Sequence, residues 1–234
     1  MSGVKKMKSE DLSKVMGGRI LETYFDYANV SNLVYEALDF GMESIQIFPN
    51  MLPFVKKVLN GRGTDLQICT VISYPHGTFT PAQKAFAIRD AIKQGADQVE
   101  FVIHTVNARS GNWDKTRDEF KACREAAGGK ILKAIVEVEY LKDDMLKKVC
   151  EIAIDEGIDR LSTSIGVYTK TVNGRDVLIG AEVDDVKKMK SYCGDKIKIV
   201  AMGNIDSVSK CEKMLDAGAD YVGSEFAADI LRNC

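Results

Sequence analysis

The chain has 234 residues, 45% of them hydrophobic and 28% charged, with a formal net charge of −2. That balance supplies a large core, removes the electrostatic case for nucleic acid or an anionic membrane as partner, and leaves no apolar run long enough to span a bilayer. Six scattered cysteines (Cys69, Cys123, Cys150, Cys193, Cys211, Cys234) form no C-x-x-C pair or Cys/His cluster. They read as reduced thiols of a cytoplasmic protein, not as a disulfide framework or a zinc site.

In chain order, residues 1–17 open with a charged amphipathic stretch that lacks a signal peptide's apolar centre. Helical patterning over 9–16 makes this segment a short lid on the N-terminal face of the main domain. A first strand is expected over 19–23, then a helix over 30–40, a strand over 44–48 and a helix over 51–59. The pattern continues with a strand over 66–73, a helix over 80–94 started by Pro81 after Thr80, a strand over 98–104 and a helix over 113–127. Strands over 132–139, 160–164, 198–201 and 221–223 alternate with helices over 142–156, 183–192, 208–217 and 225–232.

A helix-closing phrase recurs: Phe40-Gly41-Met42-Glu43, Gln94-Gly95-Ala96-Asp97, Glu156-Gly157-Ile158-Asp159 and Ala217-Gly218-Ala219-Asp220. Each follows an amphipathic stretch and precedes a short apolar run, with glycine where a left-handed residue ends a helix. Strands alternating with helices without a linker give an α/β fold: a single-domain (β/α)8 TIM barrel over 18–234 behind the lid helix. A doubly wound open sheet is the alternative, but its usual Gly-rich phosphate loop after the first strand is missing.

Six phrases, in order, carry a resemblance across nearly the whole chain. They are Ile45-Gln46-Ile47-Phe48-Pro49, Cys69-Thr70-Val71-Ile72-Ser73-Tyr74-Pro75-His76-Gly77, Gly95-Ala96-Asp97-Gln98-Val99-Glu100, Leu132-Lys133-Ala134-Ile135-Val136-Glu137, Leu161-Ser162-Thr163-Ser164-Ile165-Gly166 and Val200-Ala201-Met202-Gly203-Asn204-Ile205. The chain resembles the deoxyribose-phosphate aldolase family of the class I aldolase superfamily. That resemblance implies a barrel enzyme of the cytoplasm, active in carbohydrate metabolism on a small molecule, without a cofactor, and often paired as a homodimer.

It also implies an imine-forming lysine, a second lysine that tunes it, and an acidic proton shuttle. Carried over residue by residue, the imine lysine becomes Ser162, the second lysine Val200 and the acid Glu100. The aspartate of the family's first-strand Asp-x-Thr becomes Leu21, while Thr23 keeps the hydroxyl, and the family cysteine before Ile-x-Pro becomes Gln46. At the phosphate end Gly203 remains, Asn204 replaces a glycine, and Glu225 and Phe226 follow Gly223 and Ser224 in place of serines. A carboxylate at that helix start would repel a phosphate dianion and serve as a built-in substitute for it.

Strand parity then nominates residues for chemistry. Glu100, Val102 and His104 share one face of their strand, as do Lys133, Ile135, Glu137 and Glu139. The expected catalytic set is Glu100 as general acid/base, Lys133, Ser162 and His104. The expected substrate-binding set is Thr23, Gln46, Glu137, Ser164, Gly166, Val200, Gly203, Asn204, Gly223, Ser224 and Glu225. Each has a plainer reading as well: Glu100–Lys133 as a structural ion pair, His104 as a loop-edge histidine, His76 as loop packing and Cys69 as core. Glu100, His104, Glu137 and Glu139 offer donors for a divalent metal, although their spacing matches no established motif, and no metal is expected.

Three functions are compatible with this set. The first is a lyase or isomerase of the aldolase superfamily that acts on a sugar-like or carbonyl compound without a terminal phosphate and without an imine, with Lys133 as a fallback imine former. The second is a pseudo-aldolase that keeps the fold as a binding or regulatory protein. The third is a weak deoxyribose-phosphate aldolase with a displaced lysine, Lys170 or Lys198.

Overall fold

The computed structural model describes residues 7–234. Its barrel strands are β1 Met16–Arg19, β2 Ser44–Ile47, β3 Gln67–Ile72, β4 Gln98–Val102, β5 Ile131–Ile135, β6 Arg160–Ser162, β9 Lys198–Met202 and β10 Tyr221–Ser224. All eight are parallel and close in the order β1-β10-β9-β6-β5-β4-β3-β2. The remaining two, β7 Thr169–Val172 and β8 Arg175–Leu178, form a separate antiparallel hairpin in the loop after β6. Helices α2 Tyr27–Phe40, α3 Leu52–Leu59, α4 Pro81–Lys93, α6 Trp113–Ala127, α7 Asp143–Asp155, α8 Val183–Cys193, α9 Val208–Asp216 and α10 Ala227–Arg232 surround the barrel, and a short α5 Thr105–Arg109 caps β4.

Local chemistry explains the element ends. Asp26 starts α2 with a capping box to Asn29, and Thr80, just ahead of Pro81, does the same for α4 with Gln83. Gly41 ends α2 in the left-handed region at φ 66° and Gly157 turns the chain after α7 at φ 71°, as the recurring phrase predicts. The main core lies between barrel and helices, filled by outward strand residues such as Ile45, Ile68, Phe101 and Leu161 against Val34, Ile88, Phe120 and Val149.

Two expectations need correction. The lid helix is shorter than read: α1 spans Ser9–Ser13 and buries Leu12, and residues 16–17, assigned to the lid, are already in β1. Residues 1–6 of the lid lie outside the described residues. The first strand also lies three residues earlier than its apolar Ile20-Leu21 indicates. A side chain at Gly17 would sit 2.9 Å from Ser44 Oγ, and one at Gly18 would sit 2.7 Å from Leu33 Cδ1, so two glycines permit the closest packing on both faces of β1. No described helix is long and apolar enough to cross a membrane.

Candidate active site

The inside of this barrel is polar in its lower and middle layers and apolar above them. At the N-terminal end Arg160 Nη2 lies 3.0 Å from Glu43 Oε1, which also accepts from Gln98 Nε2 at 2.9 Å, and the Arg160 guanidinium lies 3.8 Å over the Tyr221 ring. One layer up, Glu100 accepts hydrogen bonds from Ser162 Oγ and Gln46 Nε2. Lys133 is the register partner of Glu100 on the adjacent strand. Glu100 and Ser162 are fully buried and Lys133 is 6% exposed.

Two residues further along the same strands, Cys69 gives way to Val71, Glu100 to Val102, Lys133 to Ile135 and Val200 to Met202. Val71, Val102, Ile135 and Met202 join Leu21 and Ile165 in a separate apolar cluster, with Phe48, Tyr74 and Tyr168 packed against it. This layer separates Glu100 and Ser162 from the mouth. Beneath it lies a cavity of about 20 Å³, bordered by Gln46, Lys133, Arg160, Val200 and Gly223 among others, which is room for one water. Burial opposes charge on Lys133, but the neighbouring Cys69 sulfur and the Glu100 and Glu43 carboxylates outweigh it and raise its pKa above the ordinary lysine value. Burial pushes the Cys69 thiol to about 11.

The open cavity lies above the apolar layer, at the C-terminal mouth. It has a volume of about 230 Å³ and is walled by the loops after four consecutive strands. Pro75 and His76 come from the loop after β3, Thr105, Val106 and Arg109 from α5, Glu137 and Tyr140 from the turn after β5, and Tyr168 from the root of the hairpin; Val102 belongs to β4 itself. Tyr168 Oη is 2.6 Å from His76 Nδ1, and the two rings stack at 6.0 Å. Tyr140 meets Tyr168 edge-on at 5.9 Å.

Glu137 is held at φ 53°, an uncommon backbone for a non-glycine residue, and is 2% exposed. Its Oε1 accepts from the Ile165 amide at 2.7 Å. Burial raises its pKa to about 7, only partly offset by that hydrogen bond and by the charge of Arg19. Burial, with the nearby Glu137 charge, also raises Tyr168, so this phenol keeps its proton.

The sequence-based candidates therefore divide. Glu100, Lys133, Ser162 and Gln46 come together in the sealed interior. Val200 and Gly223 border the small void beneath. Glu137 lines the mouth cavity, and so does His76, read from the sequence as loop packing.

His104, expected to face the mouth, does not line it. Its backbone amide donates to Glu119 Oε1 at 3.0 Å on α6, and its ring Nδ1 is buried without a hydrogen-bond partner among the described residues. Thr23 is exposed on the loop after β1, and Ser164 is buried past the end of β6. Gly166, Gly203 and Asn204 lie in a tight backbone seam, where a side chain on Gly166 would sit 2.6 Å from the Gly203 Cα. Ser224 Oγ donates to Ile205 O at 2.6 Å, and Glu225 Oε2 lies 3.1 Å from Arg19 Nε.

The four candidate metal donors do not converge. Glu100 lies below the apolar layer, His104 turns toward α6, and Glu139 Oε1 is 2.8 Å from Lys170 Nζ. No group of three or more His, Cys, Asp or Glu side chains suited to a metal occurs among the described residues.

Arg109, Tyr140 and Tyr168 are not nominated by the sequence, because they sit on short segments beyond the strand ends, where parity gives no signal. The hairpin that presents Tyr168 does leave one: Asn173-Gly174 between alternating residues is a two-residue turn signature, and both have positive φ, 51° and 75°.

A family model described as DeoC/LacD family aldolase matches residues 5–166. The chain is 34% identical over 220 residues to a deoxyribose-phosphate aldolase of Clostridioides difficile (strain 630), covering 94% of this chain and 95% of that one. It is 34% identical over 202 residues to one from Streptococcus mutans serotype c, covering 86% and 87%. A solved deoxyribose phosphate aldolase from Aeropyrum pernix, described as a tetramer, superposes with a TM-score of 0.87 at 24% identity, covering 99% of this chain and 94% of that one.

Proposed function

The chain belongs to the DeoC/LacD family of aldolases, and from that premise we propose that it is a carbon–carbon lyase working by acid–base chemistry at the mouth cavity instead of by an imine in the barrel interior. The observation that carries this reading is the buried Glu137 carboxyl in the wall of the mouth cavity, on a left-handed backbone, where burial pushes its pKa up to about 7. A general base works best with a pKa near the working pH. The acid–base role expected of Glu100 passes to Glu137, because Glu100 is buried, already bonded by Ser162 and Gln46, and covered by the apolar layer.

In this reading the substrate is a small β-hydroxy carbonyl compound. Glu137 takes the proton of the β-hydroxyl, the bond between the α and β carbons breaks, and its electron pair passes into the enolate. With His76 in the tautomer whose Nδ1–H donates to the Tyr168 oxygen, the protonated phenol is left to donate its hydrogen bond to the enolate oxygen. The proton held by Glu137 then returns to the α carbon, which leaves two carbonyl products. On an α-hydroxy carbonyl compound without a β-hydroxyl, the same base removes the α proton to give an enediol and returns it to the neighbouring carbon, which is an isomerisation. A homodimer belongs to the same reading, supported by the family membership, and light scattering in solution tests it.

Turnover of a panel of β-hydroxy carbonyl compounds by the parent protein, and none by Glu137→Gln, is the result expected. A second reading rests on a different observation. Complete burial of Glu100 and Ser162 fits a pseudo-aldolase that keeps the barrel and binds a ligand at the mouth. Saturable binding without turnover across the panel would favour it.

The displaced-lysine reading has less support. On the hairpin, Lys170 Nζ pairs with Glu139 from the turn after β5, and Lys198 Nζ lies 3.0 Å from Asp220 at the opposite end of the barrel. None of the residues that line the mouth cavity is a lysine.

A further inference from the structure

Charge is distributed unevenly along the depth of the mouth cavity. Arg109 stands on α5 as an exposed residue, and its positive charge reaches Tyr140 across the opening. No ion pair to Arg109 is formed among the described residues. Glu139 after β5, whose charge also reaches Tyr140, is engaged by Lys170 of the hairpin at 2.8 Å. The floor is the reverse: Glu137 is almost fully buried, so a charge there is disfavoured. A ligand matched to this gradient keeps an anionic group at the rim and turns a neutral hydroxyl or carbonyl end inward.

We propose that the mouth cavity takes a small carboxylate-bearing compound, a hydroxy or oxo acid, whose carboxylate pairs with Arg109. This deepens the acid–base reading and rests on it for the claim that the bound acid is a substrate, not for the binding itself. A single guanidinium presents a planar fork that matches a carboxylate through two parallel hydrogen bonds. A phosphate dianion is ordinarily held by several converging donors, often backbone amides at a helix start. Here the remaining polar lining is Thr105, His76, two tyrosines and the Glu137 carboxyl, which suits hydroxyl and carbonyl groups. The orientation is then set: with the carboxylate at Arg109, the carbons remote from it lie over Glu137, Tyr168 and His76.

The test is calorimetric titration with threonate, the matched uncharged polyol threitol and erythritol 4-phosphate, on the parent protein and on Arg109→Gln, Arg109→Lys and Glu137→Gln. Arg109 is exposed, so its variants fold as the parent does. Threonate is expected to bind the parent about tenfold tighter than threitol, Arg109→Gln to lose the preference, and Arg109→Lys to retain part of it.

Equal binding of acid and polyol, a preference that survives Arg109→Gln, or tighter Arg109-dependent binding of the phosphate ester would overturn the proposal. So would the absence of saturable binding by threonate and by its homologues glycerate and xylonate. Glu137→Gln separates the two claims: it is expected to keep the acid preference while losing turnover. If it keeps turnover, the acid–base reading fails and the carboxylate pairing stands.

Discussion

Arg19 and Glu225 meet across the seam that closes the barrel, Nε to Oε2 at 3.1 Å, one at the end of β1 and the other just past β10. The two strands are register neighbours, so the pair staples the first strand to the last. Arg19 is 2% exposed, its Nη1 is already buried without a partner among the described residues, and Glu225 is 19% exposed.

Glu225→Gln keeps the shape of the side chain and removes its charge. It should cost about 2–3 kcal/mol in urea unfolding, somewhat below the loss for a fully buried pair because Glu225 retains some water. The double variant Arg19→Met with Glu225→Leu should be more stable than either single variant, since no charge is left stranded. A double variant as weak as the worse single one would show that the pair is not the source of the loss.

Lys84 and Glu119 form a more deeply buried pair, and it should respond differently. Lys84 on α4 is fully buried, with Nζ bonded to Glu119 and donating to the carbonyl oxygens of Gly77 at 2.8 Å and Val102 at 2.5 Å. Glu119 on α6 also accepts from the His104 amide. The pair therefore ties the loop that carries His76 to the end of β4. Lys84→Met should cost about 3–5 kcal/mol. Adding Glu119→Leu should not restore stability, because two carbonyls and an amide would still lack partners, at about 1–3 kcal/mol each. Recovery in the double variant would mean that water reaches those groups.

Much of the fold is legible in the sequence because barrel strands and helices announce themselves through period and punctuation. Gly41, Gly95, Gly157 and Gly218 all adopt positive φ where the repeated phrase places a helix end. The first strand is misplaced by pattern alone because Gly17 and Gly18 carry no side chain, and their reason for being glycine is contact with Ser44 and Leu33 from elsewhere in the chain. The interior polar cluster is also legible, since parity groups the residues of each strand face and the family resemblance turns the face of Glu100, with Lys133 and Ser162, inward. Its closure is not, because sealing depends on Leu21 and Ile165, which lie outside strands and reach the axis only through loop geometry. For the same reason Arg109, Tyr140 and Tyr168 give no signal, while the left-handed backbone that aims Glu137 can be read only from coordinates.

An interior that holds its lysine protonated has a direct consequence for imine chemistry. Lys133 is 6% exposed and its pKa is raised above the ordinary value, so the free amine needed to attack a carbonyl is scarce at neutral pH. Incubation with acetaldehyde and sodium borohydride should give no mass increment on Lys133 by peptide mass spectrometry. Release of glyceraldehyde 3-phosphate from deoxyribose 5-phosphate should likewise be absent. A reduced adduct on any lysine, together with that turnover, would restore the imine reading.

Glu137 should leave its mark on stability as well as on activity. In the unfolded chain it is an ordinary carboxyl that loses its proton near pH 4.5, whereas in the folded protein burial holds the proton to about pH 7. Between those values the native state binds more protons than the unfolded state, so the contribution of Glu137 is fully present below about pH 4.5 and is lost as pH rises toward 7. At about 1.4 kcal/mol per pH unit, the loss across the window is on the order of 3 kcal/mol. Glu137→Gln keeps an acceptor for the Ile165 amide but cannot ionise. It should therefore be nearer the parent in stability at pH 5 than at pH 8, with the difference growing in the variant's favour as pH rises. Urea unfolding at half-unit steps reads this directly. Parallel profiles for parent and variant would place Glu137 at an ordinary pKa and remove its claim to act as a base near neutrality.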